Sequence, residues 1–350
     1  MPTVLMQQLD LLLPVVQGPM TGADSAALAA AVSAGGGLGS LGCGMRSPQA
    51  MREAAAAVRA HTQRPFAMNL FVQATPTPDP AQVQRAMQRL APLYAHFGAE
   101  PALPAQWCED FAQQLETLIE LRPAVASFTF GILEAAQVQR LHAAGIAVWG
   151  TATTVAVALA WHAVSANAVI ASGLEAGGHR GTFLADYATS MVATLPLVRD
   201  CVLQLQVPVI AAGGIMDGAG IAAALALGAQ AAQMGTAFLV CPESAINPAY
   251  RTALAGARAT DTVTTRTISG RPARGIRNAM ISTLEPDEAD IPAYPVQNAL
   301  TGALRKLAGT AGDAQYLSLW AGQGVAQARA LPAAQLLQHL QDEWRTAGGQ

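Results

Sequence analysis

Eight times in roughly its first 240 residues, the chain sets a short apolar run before a segment of helical pattern, and few folds accommodate that rhythm. The runs are Leu11–Gln17, Gly36–Gly42, Phe66–Val72, Val125–Phe130, Ile146–Gly150, Ala168–Ser172, Val207–Ala212 and Ala231–Leu239. They are almost continuously apolar rather than alternating, as a parallel sheet buried on both faces requires. The helices between them carry recognisable end signals. Asp24-Ser25 can cap an Ala-rich helix to Ser33, Ser47-Pro48 opens the next, and Gly145 ends the helix Glu134–Ala144. Further helices are read over about 81–97, 107–121, 153–164, 190–203 and 218–227. Units of this size and order predict a (β/α)8 barrel. A doubly wound open sheet is the competitor, because periodicity does not register closure.

The rhythm breaks after the eighth run. Residues 243–295 hold Thr262–Ile268, Gly270-Arg271-Pro272-Ala273-Arg274 and the acidic patch Glu285–Asp290. They read as an excursion over the barrel mouth on the substrate side. Residues 296–350 read as helices that return to the barrel, which itself occupies 1–242. Several classes of protein are disfavoured. A hydrophobic content of 52% with 12% charged residues predicts an ordered, core-rich chain. A net charge of -3 and 5% aromatics give neither the electrostatic footprint nor the stacking surface of a nucleic-acid binder. Cys43, Cys108, Cys201 and Cys241 are scattered, with no CxxC pair, and no HxH or HExxH appears, so no metal is expected. The uncharged runs Val148–Leu174 and Gly218–Pro242 are long enough to span a bilayer, but Gly, Asn and Gln divide each into helix plus strand. With no basic segment at the N-terminus, a cytoplasmic location is expected.

The chemistry concentrates after the sixth run, in Glu175-Ala-Gly-Gly-His179-Arg180-Gly181. Glycines admit a ligand close to the backbone, and an imidazole can move a proton near neutral pH. The seventh and eighth runs end in Gly213-Gly214 and in Gln233-Met234-Gly235-Thr236. Barrel enzymes often seat a phosphate on the amides of these two loops, and the Thr236 hydroxyl could add a donor. Together these suggest a phosphorylated cofactor whose reactive end lies near His179, with Asn69 able to hydrogen-bond a heterocycle. Gly37-Leu-Gly39-Ser-Leu-Gly42 fits GxGxxG literally, but a helix precedes it and no acid follows at the right distance. It is read instead as a small-residue strand packed close to a helix. His61, His96, His142, His162 and His339 fall on helices or helix ends and suggest no chemistry.

These pieces resemble the FMN-dependent nitronate monooxygenases. The resemblance runs over nearly the whole chain. It rests on Gln17-Gly-Pro-Met20, Ala30-Ala-Val-Ser33 with Gly35–Gly39, Asn69, the Glu175–Gly181 stretch, Ala211–Ile215, Gln233–Thr236, Ser269-Gly-Arg-Pro-Ala-Arg274, Tyr294-Pro-Val-Gln-Asn298 and Trp320-Ala-Gly-Gln323. The last two favour the bacterial nitronate branch. The resemblance implies FMN at the barrel mouth. It places contacts at Gly18, Pro19, Met20, Asn69, Ser172, Gly177, Gly178, Gly213, Gly214 and Gln233 to Thr236. His179 becomes the catalytic residue, with Tyr294 and Asn298 lining the substrate pocket. One departure stands out: the family often has Gln where this chain has the shorter Ser172. The implied reaction takes a nitronate anion, or a nitroalkane that first loses a proton to neutral His179, and O2 to a carbonyl compound and nitrite, a detoxification without NAD(P)H. Arg180 and the flavin site would disfavour extra positive charge on His179. The same motifs resemble flavin enoyl-ACP reductases and NADH:quinone reductases, which consume NAD(P)H; a flavin-binding protein without turnover is a further alternative. The sequence is compatible with a homodimer and says little else about oligomeric state.

Overall fold

The computed structural model describes residues 2–348. Eight parallel strands form the barrel wall: β1 (Val15–Gln17), β2 (Gly39–Gly42), β3 (Phe66–Phe71), β4 (Val125–Thr129), β5 (Ala147–Ala152), β6 (Ala168–Ser172), β8 (Val209–Ala212) and β9 (Ala231–Met234). Between β6 and β8 lies the two-residue strand β7 (Gly178–His179). The ladder runs β1-β9-β8-β6-β5-β4-β3-β2, and a parallel bridge between Val16 and Leu38 brings its two edges together. The open-sheet alternative is therefore excluded. The strands match the eight runs read from the sequence, with shifts of a few residues at their ends, the largest in the first and the last. The first begins at Val15 rather than Leu11, and the last stops at Met234 rather than Leu239. Thr236–Leu239 is a short helix, because Gly235 turns the chain and a short apolar segment can serve either element.

The barrel interior is apolar at one end and polar at the other. Leu5 and Met6, on the helix Val4–Gln8, close the N-terminal end against Trp149, Ile170 and Ile210. Thr3 Oγ1 holds that helix to the Gln230 carbonyl at 2.9 Å. Further along the strands the buried interior residues are Ser40, Asn69 and Ser127. The second apolar layer lies between strands and helices, where Leu41, Met68, Phe128, Val148 and Val169 meet Met51, Leu118, Leu141 and Trp161. As expected of the glycine-rich second strand, Gly39 packs directly on the Ala29 carbonyl, where a side chain would have no room.

Past β9 the chain forms the helix Pro248–Ala255, then β10 (Thr262–Thr265) and β11 (Ala273–Ile276). These pair antiparallel, and β7 joins them through Ala273 with His179 and Arg274 with Gly178. The excursion thus shares a three-stranded sheet with the loop that carries His179. It also buries Ile268, Met280, Ile281 and Leu284 against Leu90, Leu93 and Tyr94 of the helix Pro80–Ala95. The last helix, Ala333–Thr346, returns to the barrel: Leu336, Leu337 and Leu340 pack with Leu28, Val32 and Ile221. No helix among the described residues is long and apolar enough to cross a membrane.

Candidate active site

The candidate residues gather at the C-terminal ends of the barrel strands, where loops are free to vary over a fixed frame. Gly213 and Gly214, after β8, take φ of 118° and 73°, backbone open to glycine at little cost. A Cβ on Gly213 would also come 2.7 Å from Thr194 Oγ1. The amides of Gly214 and Gly235 donate to no protein group among the described residues. Thr236 Oγ1 accepts from the Gly322 amide at 2.9 Å and keeps its own proton for another acceptor. Two glycine loops with unspent donors suit a phosphate group, and this donor set fits a phosphorylated cofactor.

Gly18 and Met20 border the same space: Gly18 donates to the Met234 carbonyl at 2.9 Å and lies against Gly235 and Gln233. Met20 is held by its amide on Asp24 Oδ2 at 3.0 Å. Met234 itself is buried among Leu13, Val15 and Phe238, so its side chain belongs to the helix-facing layer and only its backbone is available. Asn69 Nδ2 donates to the Ser127 carbonyl and hydroxyl, both at 3.1 Å. The carbonyl fixes the amide orientation, so Oδ1 is the atom left for a ligand, as an acceptor. Ser172 is partly buried, and its carbonyl accepts from Arg180 at 3.0 Å.

His179 lies within an aromatic surround. Its ring centroid is 5.5 Å from those of Phe130 and Tyr294 and 5.4 Å from that of Trp320. Ser269 Oγ lies 2.8 Å from His179 Nε2 and donates its single proton to the Arg271 carbonyl at 3.1 Å. With the Ser269 proton on that carbonyl, Nε2 is the donor to Ser269 and the lone pair sits on Nδ1. The residue as a whole is partly buried, and burial of the ring pushes its pKa down to about 3, with Arg271 and Arg305 adding to the shift. His179 is neutral at physiological pH. Burial raises the Tyr294 hydroxyl well above its ordinary pKa, so it stays protonated.

The structure corrects one expectation. Arg180 was expected to act on His179, but it follows His179 along an extended strand and faces the other way. Its guanidinium donates to the carbonyls of Ser172 at 3.0 Å, Gly173 at 2.5 Å and Ser190 at 3.2 Å. It holds the loop together, while Arg271 and Arg305 supply the field on His179. Asn298 Oδ1 and its backbone carbonyl accept from Arg305 Nη2 at 3.0 and 2.8 Å. Glu175 accepts from Thr194 N and Oγ1, capping the helix Thr194–Gln204 rather than facing the site. Gly177 is required by the tail: a Cβ there would lie 2.5 Å from Gly322 N and 2.6 Å from Ala321 C. Gln323 N donates to the Glu175 carbonyl at 2.9 Å, so the Trp320–Gln323 segment pins the His179 loop and the Thr236 loop together. Arg271, Arg305, Phe130 and Ser269 were not picked out as site residues by the sequence. Arg271 and Ser269 lie within the Ser269–Arg274 motif; for Arg305 and Phe130 no local pattern marked them.

The nitronate monooxygenase family model matches residues 3–343. The chain belongs to the nitronate monooxygenase family. It is 46% identical over 338 residues to a nitronate monooxygenase of Pseudomonas aeruginosa, covering 95% of this chain and 96% of that protein. It is 42% identical to a nitronate monooxygenase of Paraburkholderia phytofirmans, covering 94% and 92%. Among solved structures it is similar to a nitroalkane oxidase from Streptomyces ansochromogenes, with a TM-score of 0.91, 38% identity and 98% of each chain covered. FabK from Thermotoga maritima is more distant, with a TM-score of 0.78 and 29% identity over 99% of this chain and 97% of that one. Membership makes the chain an oxidoreductase of a family that is in general flavin-dependent, which supports nitronate oxidation over the reductase alternatives.

Proposed function

We propose that this enzyme holds FMN and oxidises alkyl nitronates, propionate 3-nitronate among them, with O2 to a carbonyl compound and nitrite. The observation that carries the reading is positive charge without a counterion beside a neutral imidazole. Among the described residues, neither Arg271 nor Arg305 has a carboxylate partner within salt-bridge distance. Buried cations without partners favour an anionic ligand. A nitronate is such an anion, and propionate 3-nitronate carries a second charge on its carboxylate.

FMN would sit with its phosphate on the amides of Gly214 and Gly235 and the Thr236 hydroxyl, and with its ring facing Gly18–Met20, Asn69, Ser172, Gly177 and Gly178. When bound, it supplies the electron acceptor and the reactivity toward O2 that side chains lack. The chain's own residues do the rest. Arg271 and Arg305 draw in the anion, and Tyr294 offers a hydroxyl that stays protonated. His179 presents Nδ1 as acceptor, with Ser269 fixing the tautomer. The aromatic rings keep water from the reacting carbon. With a pKa near 3, His179 is a weak base. A preformed nitronate is therefore the favoured substrate, and a neutral nitroalkane is the slower one. Residues 243–295 cover the substrate side.

Nitrite release and O2 uptake from propionate 3-nitronate, with no pyridine nucleotide present, test the reading. Rapid anaerobic bleaching of the flavin by NADH, without nitronate turnover, would favour a reductase instead.

A further inference from the structure

Phe130 follows β4 at φ of 80°, a left-handed conformation that a bulky side chain rarely adopts. Such strain persists where the surroundings hold it in place and tends to gather at functional sites. Here both faces of the ring are occupied. Phe71, from the end of β3, stacks at 4.3 Å between centroids with 28° between planes. The Arg271 guanidinium carbon lies 4.1 Å from the ring centroid. The two cannot share a face at those distances, so Phe130 is sandwiched between them. Its edge points to His179 and Tyr294, at 5.5 and 5.2 Å.

Arg271 is otherwise tied only to backbone. Nε donates to the Arg180 carbonyl at 3.0 Å and Nη2 to the Thr182 carbonyl, both on the loop that carries His179. Nη1 has no protein hydrogen-bond partner among the described residues. A guanidinium that is stacked flat and hydrogen-bonded along one edge presents its remaining N–H groups in a fixed direction.

We propose that Phe130 is a positioning residue: by stacking on Arg271 it fixes that guanidinium beside His179, with its free edge turned to the oxygens of the anionic substrate. The inference rests on the nitronate reading and adds to it the part that orients the anion. It predicts an effect on substrate binding that passes wholly through Arg271.

The test is a double-mutant cycle on the FMN-loaded enzyme with propionate 3-nitronate as substrate. Phe130→Leu keeps apolar bulk and removes the π face. It should raise KM by about 3- to 30-fold with kcat within threefold of wild type, the range of a lost cation–π contact. Phe130→Trp should restore KM. In an Arg271→Met background, Phe130→Leu should change KM by less than twofold, because its route is already gone. Equal effects of Phe130→Leu in the two backgrounds would overturn the proposal, as would an unchanged KM. If Phe130→Leu does not fold, Arg271→Lys keeps the charge and loses the flat stack; it must raise KM, and wild-type KM there refutes the idea. Wild-type turnover is measured first. Its absence would sink the nitronate reading and this inference with it, whereas turnover with additive effects would sink this inference alone.

Discussion

Lowering the pH should cost the wild-type protein stability that a His179→Asn variant does not lose. The native ring resists protonation down to about pH 3, while in the unfolded chain it titrates near 6.5. Below 6.5 the unfolded state binds a proton that the native state does not, so stability falls as pH drops through the window from 6.5 toward 3. Between pH 7 and pH 5 the full shift corresponds to about 2 kcal/mol, from a limiting slope of about 1.4 kcal/mol per pH unit. Because the residue is only partly buried, solvent screening reduces this to about 1–2 kcal/mol. The assay is urea unfolding of both proteins at pH 7 and pH 5, at one fixed FMN concentration. Other titrating groups contribute equally to both and cancel in the difference. The gap between wild type and variant should change by about 1–2 kcal/mol in the variant's favour on going to pH 5. A gap that stays constant with pH would show that His179 titrates as an ordinary imidazole, and the argument that it is neutral by burial would fail.

Three further outcomes are expected. His179→Asn should lower turnover of a neutral nitroalkane by about 100-fold or more while the bound FMN spectrum is unchanged, and unaltered turnover would remove the imidazole from proton transfer. Thr236→Val should weaken FMN binding by about 10- to 100-fold in a fluorescence titration, the scale of one hydrogen bond to a charged group, and wild-type affinity would displace the phosphate from that loop. Gly177→Ala should lower Tm by several degrees and weaken FMN binding together, because its Cβ would fall 2.5 Å from Gly322 N and push the tail away from both loops.

The frame was legible because each barrel strand is buried on both faces and so leaves an uninterrupted apolar run. Val207–Ala212 and Ala168–Ser172 needed little or no adjustment. Ala231–Leu239 was read too long because a strand and a short buried helix share one apolar signature when only a glycine divides them. The glycine turns after the strands left their mark for a similar reason: close backbone approach and positive φ restrict the residue type. The electrostatics of the site were not legible. Arg305 acts on His179 from a helix 126 positions further along the chain, and Asn298 accepts a hydrogen bond from that guanidinium. Arg180 was misassigned because adjacency in sequence on an extended segment places side chains on opposite faces. Phe130 was read only as the end of the fourth apolar run, and its placement depends on a backbone angle that no residue pattern encodes.

The most direct measurement is O2 consumption paired with nitrite release when the yellow, FMN-loaded enzyme is given propionate 3-nitronate and no pyridine nucleotide. The account predicts that both proceed together through many turnovers. Absence of either, in a protein whose flavin NADH bleaches within the mixing time, would contradict it.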